Sequence, residues 1–212
     1  MGFLDKIFGK KQQTIAEQVD AAIGALPSPV PFLAGFGAEE SEALEAVARF
    51  SQEQMIKMIK HYPEDVFVGF SDEGMAGPLN ALATGQGNSH RILYLLKARL
   101  IGGMLVKMEW DRSAFPPQRG DADWYMDVGE MVMLAIQARA EAIATVRGVV
   151  ADPEPHVVRL GLKILPSNDR DCTTCMPHVE AGAQEPLELV KAGLPPFHLG
   201  CRCMVQKVPL RS

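Results

Sequence analysis

Residues 172–175 of the sequence read CTTC and residues 198–203 read HLGCRC, and these two motifs govern how the C-terminal part of the chain folds. They hold all four cysteines of the 212-residue chain, and 22 residues separate them. Thiolates and imidazoles are the ligands that zinc prefers, and a two-residue gap lets one backbone turn wrap around a metal ion. The motifs therefore predict a structural zinc site. Its candidate ligands are Cys172, Cys175, His198, Cys201 and Cys203.

These five candidates outnumber the four positions of a tetrahedral zinc ion. If Cys201 and Cys203 lie on a strand, their side chains face the same side of it and Arg202 faces the other. Either both cysteines bind zinc and His198 supports them from outside the ligand shell, or His198 binds and one cysteine is not needed. Two disulfides and four free thiols are the other interpretations. We expect the chain to be made in a reducing cytoplasm, which argues against disulfides.

The sequence around the two motifs predicts a small β module. Residue types alternate over 157–164 and again over 203–208, with the period of a β-strand. The segment between the motifs, residues 176–197, is predicted as a loop with more apolar side chains than a solvated loop needs. These side chains either meet a partner or cover the module itself. Because such a module has little core of its own, a bound metal ion would stabilise it.

The chain before residue 150 predicts helices. Thr14 can cap a helix that runs to about residue 26, and prolines at positions 27, 29 and 31 then form a stiff linker. Three further helices and two polar loops follow. The helices are predicted over 39–62, 90–110 and 124–147, and the loops over 71–89 and 111–123. The first loop is expected to carry one short helix at most.

We therefore predict an α+β protein with a mainly α-helical body and a small C-terminal β module stabilised by zinc. Three segments are expected: an N-terminal helix with its proline-rich linker, a helical body and a zinc-knuckle β module. They span residues 1–31, 32–150 and 151–212. The adjacent Gly102 and Gly103 in the helical body predict a bend or a close helix crossing.

Composition and net charge exclude some classes of protein and disfavour others. Hydrophobic residues make up 47% of the chain and charged residues 22%, which is typical of a globular protein and excludes a wholly disordered or fibrous one. The net charge is −5; residues 1–11 and 156–212 each carry +2, so residues 12–155 carry −9. This balance disfavours wholesale DNA binding and leaves local basic contacts near the two ends open. We expect neither a secretory signal nor a membrane span.

One histidine next to the first motif raises the question of catalysis. His178 and Glu180 form an H-x-E sequence close to a C-x-x-C, the two elements of a zinc deaminase signature. In those enzymes the H-x-E comes first and the C-x-x-C lies well downstream, whereas here the order is reversed and only two residues separate His178 from Cys175. We therefore expect no enzymatic activity.

The C-terminal segment, DRDCTTC followed by GLPPFHLGCRC, resembles the Mu F-like family of phage minor head (head morphogenesis) proteins. The helix before it is similar to the Arg-Thr-Glu helix of that family, with Ala140 where threonine is usual. After the histidine, Leu199 stands where the family has proline. The matching positions in the motifs are Cys172, Cys175, Gly182, Pro195, Pro196, His198, Cys201, Arg202 and Cys203.

The resemblance implies a non-catalytic structural protein of the phage virion, a minor head or portal-associated protein that acts in head assembly and genome delivery by scaffolding. It implies portal, connector or capsid proteins as partners, several copies in a particle, and a place inside or at the neck of the head after assembly in the host cytoplasm. Contact with packaged DNA stays open. The alternative is a zinc-knuckle adaptor or regulator that binds protein or nucleic acid.

Overall fold

The computed structural model describes residues 13–27, 38–61, 72–85, 88–108, 121–151, 159–166, 172–198 and 201–210. Within these residues the chain is mostly helical and has one small antiparallel sheet near its C-terminal end, which confirms the α+β class. The elements in chain order are α1 (Ile15–Gly24), α2 (Ala38–Arg49), α3 (Gln52–His61), α4 (Asp72–Thr84), α5 (Ser89–Lys107), α6 (Asp121–Val150), β1 (Leu160–Leu165), α7 (Met176–Glu180), α8 (Pro186–Ala192) and β2 (Met204–Pro209).

The described residues fall into two compact units, each with its own core. The helical unit contains α2 to α5 and α6 up to Gln137. The C-terminal unit contains α1, α6 from Ala138 onward, both strands, α7 and α8. The domain boundaries predicted at residues 31 and 150 stay a prediction, because contacts within one chain do not show which parts fold independently.

The core of the helical unit is built from the apolar sides of α2 to α6. Gly129 on α6 faces the backbone of α5, and an added Cβ there would lie 2.5 Å from the carbonyl carbon of Ala98. Gly102 and Gly103 are also buried, but α5 continues through them. The fully buried large side chains of this unit are Leu44, Met55, Leu82, Leu100, Ile101, Leu105 and Met133.

Two of the predicted helical boundaries were wrong. The single helix predicted over 39–62 is two helices, because Ser51 caps the second one: its Oγ accepts the N–H of Gln54 at 3.2 Å. The Gln54 side chain in turn accepts the N–H of Ser51 at 2.8 Å, which completes a capping box. The segment 71–89, predicted as a loop with one short helix at most, contains one helix, the 13-residue α4, which is longer than expected.

The other helices agree with the sequence patterns. The helices predicted over 90–110 and 124–147 are confirmed as α5 and α6, and Asn88 caps α5 through its side-chain oxygen, which accepts the N–H of Arg91 at 3.1 Å. The predicted cap at Thr14 is confirmed: its Oγ1 accepts the N–H of Glu17 at 3.2 Å. Of the loop predicted over 111–123, residues 111–120 lie outside the described residues, and residues 121–123 belong to the start of α6 instead.

The sheet of the C-terminal unit follows from the alternation in the sequence. The strands β1 and β2 pair antiparallel with Leu160 opposite Pro209 and Leu165 opposite Met204. Leu162 and Ile164 on one face of β1 are buried in the core. On the other edge of β1, Leu162 exchanges two backbone hydrogen bonds with Gln184, at 2.8 and 2.9 Å.

The segment between the two cysteine motifs was predicted as a loop, and this prediction was wrong. It contains two short helices, α7 and α8. Leu189, Val190 and Leu194 are at most 1% exposed and belong to the core of the C-terminal unit. These three apolar side chains therefore cover their own module. In the described residues, no helix combines the length and the apolar run that a bilayer crossing needs.

Candidate metal centre

A tight turn presents the first pair of cysteines. The carbonyl oxygen of Cys172 accepts the N–H groups of Cys175 and Met176, both at 3.0 Å, and Cys175 then begins α7. This is the single turn of backbone that the C-x-x-C spacing predicts. It brings the two thiols to one side of the turn, with Cys175 buried and Cys172 half-buried.

The second pair of cysteines lies on the chain that leads into β2. Cys201 and Cys203 are buried, whereas Arg202 between them is exposed. This is the alternation expected of extended backbone. Both thiols therefore point into the C-terminal unit, where they share a buried cluster with Cys175.

Five side chains form the candidate metal centre, in two groups of three among the described residues. One group is Cys172, Cys175 and His198, and the other is Cys175, Cys201 and Cys203. Within each group the candidate ligand atoms lie within 4.8 Å of one another. Cys175 belongs to both groups and therefore connects them. All four cysteines are described, and none forms a disulfide. The cluster brings together every ligand predicted from the sequence.

The spacing of the sulfur atoms fits a metal ion with tetrahedral thiolate ligands. The Sγ atoms of Cys175 and Cys201 are 3.7 Å apart. Zinc–sulfur bonds of about 2.3 Å in a tetrahedron place neighbouring sulfurs about 3.8 Å apart. A set of four thiols and one imidazole is suited to zinc and poorly suited to magnesium or calcium, which prefer oxygen ligands. The donor set therefore fits a zinc ion.

The depth of the cluster bears on what a metal ion would do there. Cys175, Cys201 and Cys203 are between 4% and 6% exposed and pack with Val19 and Leu162 in the core of the C-terminal unit. Catalytic zinc sites keep one position open to water or substrate, whereas structural sites are closed by protein ligands. The burial of three candidate ligands in an apolar core therefore favours a structural metal centre.

Burial also keeps the central thiol protonated when no metal is bound. Burial raises the pKa of Cys175 above its ordinary value, and hydrogen bonds with Cys172 and Cys203 and the proximity of Cys201 raise it further. At neutral pH this side chain is therefore a neutral thiol in the metal-free protein. A metal cation must displace that proton, because the thiolate is the form that binds.

This protonation state predicts how metal binding depends on pH. Binding of zinc is expected to release at least one proton, from Cys175, so the apparent affinity should rise by about tenfold per pH unit for each proton released. Calorimetric titrations at pH 7 in two buffers with different ionisation enthalpies would measure the number of protons. Equal binding enthalpies in both buffers would mean that the thiol is already deprotonated, contrary to this expectation.

His178, the histidine of the H-x-E sequence, belongs to neither group of candidate ligands. Its ring stacks on Phe197, with ring centroids 3.8 Å apart and planes 7° from parallel. Burial lowers the pKa of His178, which favours the neutral imidazole that packs on an aromatic face. The stack joins α7, which follows Cys175, to the residue that precedes His198. No motif or residue spacing in the sequence predicted the contact between these two rings.

A buried arginine beside the cluster was also not predicted to have a role. Arg139 on α6 is 7% exposed, and its guanidinium donates to the backbone carbonyls of Leu194 and Pro195, both at 2.9 Å. The resemblance to the Arg-Thr-Glu helix covers this residue; apart from it, a single arginine among alanines, as in residues 138–142, is the available signal in the sequence. That signal is weak, because an isolated arginine on a helix is usually exposed.

Comparison of the chain with known protein families, with curated proteins and with solved structures found no match. The resemblance to the Mu F-like family therefore rests on the residues quoted from the sequence. The geometry of the cluster is an independent observation, and it stands without the resemblance.

Proposed function

We propose that the candidate metal centre holds one structural zinc ion. The observation that carries this proposal is the convergence of five thiol and imidazole side chains, three of them buried in the core of the C-terminal unit. Zinc would link the turn at Cys172 and Cys175 to the chain that enters β2. In a unit whose sheet has only two described strands, such a link would add to the stability that the apolar core provides.

We further propose that the protein is a non-catalytic phage virion protein, a minor head or portal-associated protein that acts in head assembly. The resemblance of the two cysteine motifs to the Mu F-like family supports this role. The metal would act by keeping the C-terminal unit rigid, so that it offers one fixed shape to a portal, connector or capsid protein. In this proposal the chain works in the host cytoplasm during assembly and then in the virion, in several copies.

The zinc proposal predicts one zinc ion per chain and selective melting of the C-terminal unit on chelation. Protein purified under reducing conditions should contain one equivalent of zinc by mass spectrometry of the metal. Removal of the ion should lower the stability of the C-terminal unit by several kcal/mol, because a structural ion stabilises the folded state in proportion to its binding free energy. Hydrogen exchange should show loss of protection in β1 and β2, with α5 as the internal control from the helical unit.

Less than 0.2 equivalents of metal, with four freely titrating thiols, would overturn the zinc proposal. If the C-terminal unit stayed folded after complete chelation, the structural role would be overturned. The ion would then serve another purpose in the native protein. Re-addition of zinc should restore protection, whereas magnesium should not, because magnesium prefers oxygen ligands.

The virion role is tested separately, by co-expression with the portal protein of the same phage genome. A stable complex on size-exclusion chromatography, lost when zinc is removed, would support it. The adaptor alternative predicts salt-sensitive binding to DNA, which the charge of −9 over residues 12–155 disfavours. Binding to duplex DNA that weakens steeply with salt, without binding to the portal, would favour the alternative.

A further inference from the structure

The guanidinium of Arg139 connects three segments of the C-terminal unit. Its Nε donates to the carbonyl of Pro195 at 2.9 Å, and its Nη2 donates to the carbonyl of Leu194 at 2.9 Å. Its Nη1 donates to the carbonyl of Pro27 at 3.1 Å. A buried cation is tolerated when its N–H groups are satisfied, and here backbone carbonyls supply acceptors.

These acceptors lie just before the second cysteine motif and just after α1. Leu194 and Pro195 precede the candidate ligand His198 by four and three residues, on the segment that enters the second cysteine motif. Pro27 lies three residues after the end of α1. One side chain on α6 therefore fixes both the approach to the metal centre and the exit from the N-terminal helix.

A second, independent observation places α1 on the core that contains the metal centre, because α1 packs on α8, between the two cysteine motifs. Val19, on the buried side of α1, is 1% exposed and belongs to the same buried cluster as Cys175, Cys201 and Cys203. Removal of α1 from this position would expose the apolar core that contains three candidate ligands, and would take the Pro27 carbonyl away from Arg139. Both effects disturb the packing around the ligands.

We propose that Arg139 is a positioning residue for the metal centre and that it couples metal binding to the docking of α1. The inference rests on the zinc binding proposed above and not on the virion role. With α1 docked, Arg139 holds the backbone at Leu194 and Pro195, so the following ligands are in place before zinc arrives. By thermodynamic linkage, zinc then stabilises the docked position of α1 by the same free energy by which docked α1 strengthens zinc binding.

The first arm of the test compares two arginines on α6. Arg139→Ala is expected to weaken zinc binding by about tenfold or more, in the range seen when groups that orient metal ligands are removed. Arg147→Ala is the matched control, because it removes another arginine of α6, together with its exposed 2.9 Å pair with Asp20 on α1, without touching residues 194 and 195. Its dissociation constant for zinc, measured by competition with a chromophoric chelator, should stay within about twofold of the parent value.

The absorption spectrum of bound cobalt(II) distinguishes a change in ligand geometry from a general loss of stability. At saturating cobalt, the visible d–d bands report the geometry of the ligands, so Arg139→Ala should change their position or intensity. Arg147→Ala should leave the spectrum as in the parent protein. A parent-like spectrum together with a parent-like zinc affinity in Arg139→Ala would overturn the positioning role.

The second arm tests the coupling from the side of α1, with variants that leave Arg139 in place. Val19→Ala loosens the packing of α1 in the core of the C-terminal unit and is expected to weaken zinc binding severalfold, whereas Ile15→Ala, at a position 58% exposed on the same helix, should not. Equal zinc affinities for these two variants would overturn the coupling while zinc still binds. Absence of zinc from the parent protein would instead overturn the zinc proposal and this inference with it.

Discussion

Replacement of Cys175 by alanine is expected to abolish stoichiometric zinc binding and to remove most of the stability that the metal gives to the C-terminal unit. Cys175 belongs to both groups of candidate ligands and lies 3.7 Å from the sulfur of Cys201. Structural zinc binds with about 10–16 kcal/mol in small peptides, or roughly 3 kcal/mol per ligand, so loss of one obligatory ligand should weaken binding by about 100-fold or more. Metal content after desalting and a competition titration would measure this.

The other four candidate ligands provide the comparison. A tetrahedral ion uses four ligands, so at least one of the remaining alanine variants should keep its zinc within about tenfold of the parent affinity. That variant identifies the side chain outside the ligand shell. The variants are Cys172→Ala, His198→Ala, Cys201→Ala and Cys203→Ala.

Thr173→Ala, an exposed position in the turn between the first two cysteines, is the matched control and should bind zinc as the parent does. If Cys175→Ala retained one equivalent of zinc at parent affinity, Cys175 would not be the shared ligand. Weakening of equal size at all five positions would instead mean that each side chain contributes, directly or through a neighbour.

The candidate ligands could be predicted from the sequence because local backbone geometry controls them. A C-x-x-C turn places Cys172 and Cys175 together, and extended backbone places Cys201 and Cys203 on one side, whatever the rest of the chain does. Their mutual approach across 22 residues was inferred from chemistry, since five soft ligands in one short window have few other uses. Which four bind depends on distances of a few tenths of an ångström, and no spacing rule reaches that precision.

The partners of each helix could not be predicted in the same way. The pattern of α1 correctly gave a capped helix with one apolar side, but periodicity says nothing about what Val19 packs against. The role of Arg139 depends on carbonyls that are 55, 56 and 112 residues away in sequence. Such contacts exist only in the folded chain.

The two errors in the helical body have different physical origins. The break between α2 and α3 has a local signal, the Ser51 to Gln54 capping box, which the apolar periodicity on both sides concealed. The helix α4 has no such signal, because its glycines, asparagine and Pro78 all favour loops by themselves. Long-range packing of Leu82 into the core of the helical unit stabilises α4 against those propensities.

A single methyl group at position 129 is expected to destabilise the helical unit more than any loss of a surface contact. In Gly129→Ala the new Cβ would lie 2.5 Å from the carbonyl carbon of Ala98 and closer still to its oxygen. These are backbone atoms, so no side-chain rotation relieves the overlap and α5 and α6 must separate. We expect a loss of about 3 kcal/mol or more, at the upper end of overpacking effects, which corresponds to roughly 10 °C in Tm.

The same chemical change at Gly24 isolates the effect of the close approach. An added Cβ at Gly24 meets nothing within 4 Å, so Gly24→Ala should be neutral or slightly stabilising, by up to about 1 kcal/mol from helix propensity. Urea unfolding followed by circular dichroism would measure both variants, and far-UV spectra would verify that Gly129→Ala still folds. Equal midpoints would show that α5 and α6 do not depend on a bare backbone at position 129. A large difference would show that the bare backbone at Gly129 sets how closely the two helices pack.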